Sequence, residues 1–381
     1  MFLKAASSSS VSSAPLTDRP PSARRRSLTA PLPPFPLSEG QRGLWLLHQL
    51  VPQMSAYNVP VTLQFDRPVD INAIKQATSF LLDRHPILRS QFKTDDNANP
   101  FQTIRPQPEF GFEEGDRDFT TDEVLQQQLK SAADRVFDLE NDPLVRLHLF
   151  HESPIRYKLL IVIHHLVVDG SSLPILLRDF LHAYAAYSQG REPTIAASET
   201  ADYADFVTWE QELIDSDRGK TCLAYWQQQL SGTLPLLALP FDQQPPLTPT
   251  FAGAIVSTKL DSNTTQQLRS LAKDRNVSLF VLLLSSYQAF LARYTLQNDI
   301  IVGVPSAGRP ESRFANTVGY FINMVPVRTQ INLEEPFTEL LQRVKVTVAD
   351  GLDYGQFPFP KQVSALGIAR DLAHSPVFQT S

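Results

Sequence analysis

Two adjacent histidines and a nearby acid are the residues of this chain whose types and spacing could perform acid–base chemistry. His164 and His165 end an apolar run, and Asp169 and Gly170 follow after three aliphatic residues. An imidazole titrates near neutral pH and can take a proton from an attacking group. The string His-His-x-x-x-Asp-Gly is therefore a candidate for general-base catalysis. Metal binding would require further ligands at matching spacing, and a purely structural pair of core histidines remains the plain alternative.

The sequence around this string predicts a strand, a sharp turn and a helix. Residues 159–165 are apolar on both faces, which is typical of a buried central strand. Because side chains alternate along a strand, His164 and His165 are expected to point to opposite faces, so that one of them can enter a cleft. Ser171 or Ser172 is predicted to cap the helix that follows.

The remaining pattern alternates helices with strands, and the order of elements repeats once. The first half predicts helices at 38–50, 71–82, 121–137 and 204–217, and strands at 59–65, 88–92, 145–151 and 157–165. After a proline-rich loop at 239–249, the second half predicts strands at 254–260 and 299–304 and helices at 264–276 and 278–294. We therefore expect an α/β protein with two similarly built domains, 36–217 and 218–381. The Pro/Ser-rich residues 1–35 predict a disordered linker, with a transit peptide as the alternative.

Composition excludes several classes of partner. The 34 basic and 40 acidic residues give a net charge of -6, so no basic field exists for nucleic acid or an anionic membrane. The apolar runs are shorter than the ~20 residues of a membrane span. The single cysteine, Cys222, excludes an internal disulfide and a Cys-based zinc site, which favours a reducing, cytoplasmic location. No nucleotide-binding signature or carrier-protein serine motif is present, so substrates must be delivered by other proteins.

Seven segments, in order, resemble the motifs of the condensation domains of nonribosomal peptide synthetases, which belong to the chloramphenicol-acetyltransferase-like superfamily. The His-His-x-x-x-Asp-Gly string resembles the active-site motif of that family. The other matching segments lie at residues 38–45, 84–92, 203–209, 318–328, 354–360 and 370–378. Two segments depart from the family pattern: Gly43 stands where an arginine is usual, and Ala373 and His374 replace a serine and an arginine.

The resemblance implies two acetyltransferase-like halves arranged as a V-shaped pseudo-dimer with a tunnel between them. Donor and acceptor would each arrive as a thioester on the 4'-phosphopantetheine of a carrier protein, and the acceptor amine would attack the donor carbonyl to form an amide. The implied partners are donor and acceptor peptidyl carrier proteins and neighbouring adenylation or polyketide synthase modules. No cofactor or metal would be bound directly. Family members usually continue for several strands beyond the seventh motif, so the second half is expected to be incomplete.

The resemblance also implies roles for the residues of the motif. His165 would face the tunnel and accept or hold the proton of the attacking amine, while His164 and Asp169 would be structural. Gly170 would allow close approach of the thioester, and its N–H is a candidate donor to the oxyanion. A buried Asp169 requires a cation, for which we prefer Arg89 over Arg84 in the second segment.

Weaker candidates lie elsewhere in the matching segments. Trp45 of the first segment is expected to support the tunnel. Asn323 follows a predicted Gly-Tyr-Phe-Ile strand and either hydrogen-bonds substrate or holds a loop. Residues 303–310 lack the Gly-Lys-Ser/Thr of a phosphate loop and predict a tight turn beside the tunnel.

Two other functions remain open. A related acyltransferase would use a CoA-bound or carrier-bound acyl donor with a free alcohol or amine. A catalytically silent module or fragment would only dock carrier proteins. An assay with loaded carriers distinguishes them from a condensation domain.

Overall fold

The computed structural model describes residues 33–115, 122–194, 201–242, 251, 253–367 and 375–381. Most of the predicted linker, residues 1–32, lies outside the described residues. So do residue 121 of a predicted helix, residues 243–249 of the proline-rich loop and residues 370–374 of the seventh segment. Over the described ranges the chain is a mixed α/β protein, as the sequence predicts.

The first half contains two sheets. A four-stranded sheet has the order β2-β7-β6-β5 and a three-stranded sheet the order β1-β4-β3; all pairs are antiparallel except β5 with β6. In chain order the elements are β1 (Phe35–Pro36), α1 (Glu39–Leu50), β2 (Asn58–Phe65), α2 (Ile71–Arg84), β3 (Ser90–Thr94), β4 (Pro100–Ile104), β5 (Gly111–Glu114), α3 (Asp122–Asp134), β6 (Val145–Ser153), β7 (Arg156–His164), α4 (Ser172–Tyr187) and α5 (Tyr203–Asp215).

The second half is mainly helical around an antiparallel pair of strands, β8 and β9. Its elements are α6 (Asp217–Gln229), α7 (Ser262–Asp274), α8 (Leu279–Thr295), β8 (Asp299–Ser306), β9 (Asn323–Gln330), α9 (Phe337–Asp353) and α10 (Phe359–Ala365). In the part of the chain that the structure describes, no single helix is long and apolar enough to cross a membrane; α7 and α8 would qualify only as a pair, and that pair is bent by 99°.

A segment of the second half crosses to the first. The two halves have separate hydrophobic cores, but Phe314, Val318 and Phe321, which lie between β8 and β9, are buried in the core of the first half. Their aromatic and aliphatic surface is removed from water there, which fixes the crossing segment, residues 307–322, against α5. This segment carries side chains of the second half to the end of β7.

Several sequence predictions differ from the structure. The strand expected at 254–260 is wrong: the described residues there form no strand, and Ile255 and Val256 are 93% and 97% exposed. The alternating pattern is present, but a strand also needs a neighbour for its backbone hydrogen bonds, and none of the described strands lies alongside. The helix expected at 204–217 is present as α5 but ends at Asp215, because Ser216 adopts an extended conformation and caps a second helix, α6. Residues 319–322 form no strand, and the strand expected at 88–92 begins only at Ser90.

Gly308, at the start of the crossing segment, provides a test of how tightly that segment is held. Its φ is +64°, and a Cβ there would overlap the carbonyl oxygen of Phe321. Gly232 has a φ of +74° but open space around it. Both glycine-to-alanine variants are expected to lose about 1–2 kcal/mol of unfolding free energy from the left-handed backbone. Gly308→Ala should lose about 1–3 kcal/mol more from overpacking.

Chemical denaturation of the two variants beside the wild type measures this difference. Equal losses for Gly308→Ala and Gly232→Ala would show that the crossing segment is not packed as described.

Candidate active site

His165 comes directly after the end of β7. It is the first residue of a short 3-10 turn and does not belong to the strand itself. Its ring is half-buried, and Nδ1 lies 2.7 Å from the carbonyl oxygen of Val168. A carbonyl only accepts hydrogen bonds, so Nδ1 carries a proton, and in the neutral imidazole the lone pair is then on Nε2. Nε2 has no hydrogen-bond partner among the described residues. The geometry therefore leaves the basic nitrogen free for a reactant.

Two tyrosine rings stand edge-on to the His165 ring. The ring of Tyr57 lies at 6.5 Å and that of Tyr320 at 5.3 Å, centre to centre. Tyr57 belongs to the first half, whereas Tyr320 belongs to the crossing segment of the second. Burial raises the pKa of both phenols, so both stay protonated near neutral pH. The candidate base is thus enclosed by residues of both halves.

His164 has the opposite environment. It is only 3% exposed, its Nδ1 accepts a hydrogen bond from the backbone N–H of Leu166, and its ring packs edge-on against Phe137. Burial lowers the pKa of His164 to about 3, so it stays neutral. These contacts support the structural role that the sequence analysis expects.

Asp169 is paired with Arg309, and the predicted pairing with Arg89 or Arg84 is wrong. The guanidinium of Arg309 donates two parallel hydrogen bonds to the carboxylate of Asp169, at 2.9 and 3.0 Å, and the Asp169 side chain is 1% exposed. Arg309 follows β8 on the crossing segment. The buried carboxylate therefore joins the two halves through a bidentate ion pair.

The two arginines of the second segment hold other groups. Arg89 donates from Nε to the carbonyl of Leu82 and from Nη1 to the carbonyls of Arg105 and Pro106. Arg84 pairs with the buried Asp179 at 2.9 Å. Both were candidates because the second matching segment was expected to supply the cation. Membership of that segment did not reveal which cation the fold brings to Asp169.

Asp169 also organises the turn that begins α4. Its Oδ1 accepts hydrogen bonds from the backbone N–H and the hydroxyl of Ser172, and its Oδ2 accepts from the N–H of Phe321. Ser171 is the N-cap residue of α4 but makes no side-chain capping bond; the carboxylate of Asp169 accepts the N–H of Ser172 instead. Gly170 between them is exposed, and a Cβ there would meet no atom within 4 Å. Its N–H makes no hydrogen bond to the described residues and remains the candidate oxyanion donor.

Other matching segments meet at the same place. The hydroxyl of Ser38 lies 2.9 Å from that of Tyr203, which donates to the carbonyl of Tyr320 at 2.6 Å. Gln41, the partner of Ser38 in the capping box of α1, donates from Nε2 to the carbonyl of Leu166 at 2.8 Å. These side chains fix the start of α1 and the crossing segment relative to the turn after β7.

A cavity of about 300 Å³ lies between the two halves beside this turn. Gly40, Trp209 and Glu210 line it from the first half, and Arg309 and Tyr320 line it from the second. His165 is not in the lining, but Tyr320 is, and the ring of Tyr320 contacts the imidazole.

The two remaining predicted residues have structural contacts. The amide of Asn323 lines the cavity, but its nitrogen donates to the carbonyls of Gly355 and Phe357 and its oxygen accepts from the N–H of Phe359. This amide therefore holds a loop, one of its two predicted roles. Trp45 is partly buried against the first core and does not line the cavity.

Glu210 is a buried acid in the cavity wall that the sequence analysis did not single out. Its Oε2 accepts the backbone N–H of Glu39 at 2.7 Å, at the start of α1. Burial, and to a smaller extent the charge of Glu39, raise the pKa of Glu210 to about 7, against the lowering effect of that hydrogen bond and of Lys361. The ionised form is therefore disfavoured in the folded state.

Glu210→Gln is expected to stabilise the protein at pH 8. The raised pKa means that the native state binds a proton that the unfolded state releases. The contribution of this proton to the free energy of unfolding is therefore complete below about pH 4.5 and is lost as the pH rises to about 7. The neutral amide can still accept the N–H of Glu39, and it removes the cost of burying an ionised carboxylate. Denaturation at pH 5 and pH 8 should show that the unfolding free energy of the wild type falls with pH, and that it falls less in Glu210→Gln. Glu212 is exposed on the same helix, so Glu212→Gln should keep the pH dependence of the wild type.

Among the described residues, no group of three or more histidine, cysteine or acidic side chains is arranged to hold a metal ion.

Comparison with known families agrees with this arrangement. The profile of the family described as Condensation domain matches residues 34–381. The chain belongs to the condensation domain family. Acyl transfer with amide-bond formation is the general kind of reaction of such domains.

Curated relatives of this condensation domain are large synthases. Polyketide synthase PksN of Bacillus subtilis is 40% identical over 346 residues, which are 91% of this chain and 6% of the synthase. A linear gramicidin synthase of Brevibacillus parabrevis is 34% identical over 349 residues, which are 91% of this chain and 7% of that protein. The chain thus spans a small part of the length of either relative.

Solved structures share the fold of this condensation domain. A four-domain nonribosomal peptide synthetase bound to AMP and glycine superimposes with a TM-score of 0.83 at 24% identity, covering 92% of this chain and 26% of that one. The X-domain from teicoplanin biosynthesis superimposes with a TM-score of 0.81 at 26% identity, covering 93% and 78%. The chloramphenicol-acetyltransferase-like fold of condensation domains is thus the fold of this chain.

Besides Glu210 of the cavity wall, three residues around His165 and Asp169 were missed by sequence reasoning: Tyr57, Arg309 and Tyr320. Arg309 lay in the segment interpreted only as a tight turn beside the tunnel. A cation in a loop directly after a buried strand was the available signal. For the tyrosines, the signal was weaker, because a partly buried aromatic residue is common in any core.

Proposed function

We propose that this condensation domain joins two carrier-bound substrates through an amide bond. The donor is an acyl, aminoacyl or peptidyl thioester, the acceptor is an aminoacyl thioester with a free amine, and each is carried on the 4'-phosphopantetheine of a carrier protein. The observation that supports this most is the free Nε2 of His165, placed between residues of the two halves.

The reaction requires one bond to form and one to break. The acceptor nitrogen attacks the donor carbonyl carbon, the C–N bond forms and the C–S bond breaks. His165 Nε2 accepts the amine proton or its hydrogen bond, and this proton passes to the departing sulfur to give a thiol. In this proposal the N–H of Gly170 donates to the developing oxyanion.

Positioning contributes more than proton transfer in this proposal. Alignment of two tethered reactants can supply about 7–11 kcal/mol, whereas a general base typically contributes about 10²–10⁴-fold in rate. The Asp169–Arg309 pair serves alignment, because it fixes the turn after β7 to the crossing segment. His165 can therefore act as an orienting acceptor even without taking the proton fully.

Intact-protein mass spectrometry tests the proposal. The chain is incubated with a donor carrier and an acceptor carrier, each loaded with its thioester. The acceptor carrier is expected to gain the mass of the donor acyl group, and the donor carrier is expected to end as the free thiol.

The same assay separates the two alternative functions. Transfer from an acyl-CoA to a free amine or alcohol, without transfer between carriers, would identify a related acyltransferase. Carrier binding without any transfer would identify a silent docking module. Either result would overturn the proposal.

A further inference from the structure

Tyr320 separates the cavity between the halves from His165. Tyr320 lines the cavity, its ring lies beside the lining residue Gly40, and the ring meets the imidazole at 5.3 Å with an angle of 84° between the planes. His165 is absent from the cavity lining. A reactant that enters through this cavity therefore has to pass the ring of Tyr320 before it reaches Nε2.

The backbone around Tyr320 is held firmly, so the ring is the part that can move. The carbonyl of Tyr320 accepts from the hydroxyl of Tyr203, the N–H of Phe321 donates to Asp169, and the N–H of Gly319 donates to Ser172. The phenol hydroxyl of Tyr320 makes no hydrogen bond to the described residues. Rotation of this side chain therefore breaks no hydrogen bond of the fold.

Gly40 in the first turn of α1 forms the wall behind the ring. A Cβ at residue 40 would lie 2.8 Å from Cε1 and 3.2 Å from Cδ1 of Tyr320. Real Cβ contacts are not this short, so an alanine would displace the ring away from α1. Alanine is otherwise favourable in a helix, so a Gly40→Ala variant changes chiefly the position of Tyr320.

We propose that Tyr320 is a specificity-determining residue: its ring limits the size of the substrate that travels from the cavity to His165. This inference rests on the function proposed above and names the residue that selects one of the two substrates by bulk. The hydroxyl takes no part, because it makes no hydrogen bond to the described residues. Ring volume and ring position are the selecting properties.

The first test measures selectivity with pantetheine thioesters of glycine, leucine and tryptophan, varied once as acceptors and once as donors. Tyr320→Ala is expected to raise the kcat/KM ratio of tryptophan over glycine about tenfold or more in one of the two series. Tyr320→Phe should keep the wild-type ratio, and Gly40→Ala should change it. Unchanged ratios in both series for Tyr320→Ala would overturn the proposal.

A second test does not depend on catalysis. Gln356 is exposed and lines the cavity, and the native Cys222 is fully buried, so Gln356→Cys supplies a single reactive thiol. A bis-bromoacetamide attached to Cys at this position is expected to alkylate His165 several-fold faster when Tyr320→Ala is added, and at an unchanged rate with Tyr320→Phe. Peptide mass spectrometry locates the cross-link.

The two tests separate the two proposals. Equal cross-linking rates in all variants would overturn the role of Tyr320, even where amide formation is observed. Faster cross-linking in Tyr320→Ala, together with no amide product from any substrate pair, would support the barrier and overturn the proposed function. Unfolding midpoints of each variant show that the site is intact.

Discussion

Replacing Arg309 by alanine is expected to lower the free energy of unfolding by about 3–5 kcal/mol, because it leaves a buried charge without its partner. The side chains of Arg309 and Asp169 are only 10% and 1% exposed, so solvent cannot replace the lost contact. Arg309 also donates to the hydroxyl of Ser172 and to the carbonyl of Thr317. Chemical denaturation at pH 7 measures the loss.

Arg313→Ala is the matched control on the same crossing segment. Arg313 pairs with Glu311, but these side chains are 48% and 43% exposed. A surface pair of this kind contributes about 0–1 kcal/mol. Arg309→Lys keeps the charge but loses the bidentate geometry, so an intermediate loss is expected. Equal losses for Arg309→Ala and Arg313→Ala would contradict the assigned role of the buried pair.

His165→Ala is expected to lower the rate of amide formation by about 10²–10⁴-fold. The variant removes the free Nε2 and the hydrogen bond from Nδ1 to the carbonyl of Val168, which is the only side-chain hydrogen bond of His165 to the described residues. The unfolding free energy should therefore fall by only about 0.5–1.5 kcal/mol. Single-turnover mass spectrometry of loaded carriers gives the rate, and denaturation gives the stability.

His182→Ala is the control for this variant, because His182 is exposed on α4, the helix that begins at the turn. It should react at the wild-type rate. Product formed by His165→Ala at an unchanged rate would remove His165 from the mechanism.

The local arrangement around the site was predictable from the sequence. An apolar run, three aliphatic residues, an acid and a glycine predict a buried strand followed by a turn and a helix, and β7 and α4 confirm this order. Ser38 begins α1 with a capping box, as its type and position suggest. Such signals depend on neighbouring residues, which the sequence shows directly.

The long-range part of the site was not predictable in this way. Asp169 and Arg309 are 140 residues apart, and only the crossing segment brings them together. A buried carboxylate predicts that a cation is present but does not identify which one, so the choice of Arg89 from the second segment was wrong. The sequence at 254–260 shows the same limit, since alternation predicts a strand but not the neighbour that it needs.

Labelling by a bromoacetamide of 4'-phosphopantetheine tests the central claim most directly, since that claim places His165 within reach of a substrate arm. The chain has eight histidines, and peptide mass spectrometry locates the alkylated one. We expect one equivalent of label on His165, faster than labelling by bromoacetamide alone, and competition by unreactive phosphopantetheine. Label spread over exposed histidines such as His182, with none on His165, would contradict the account.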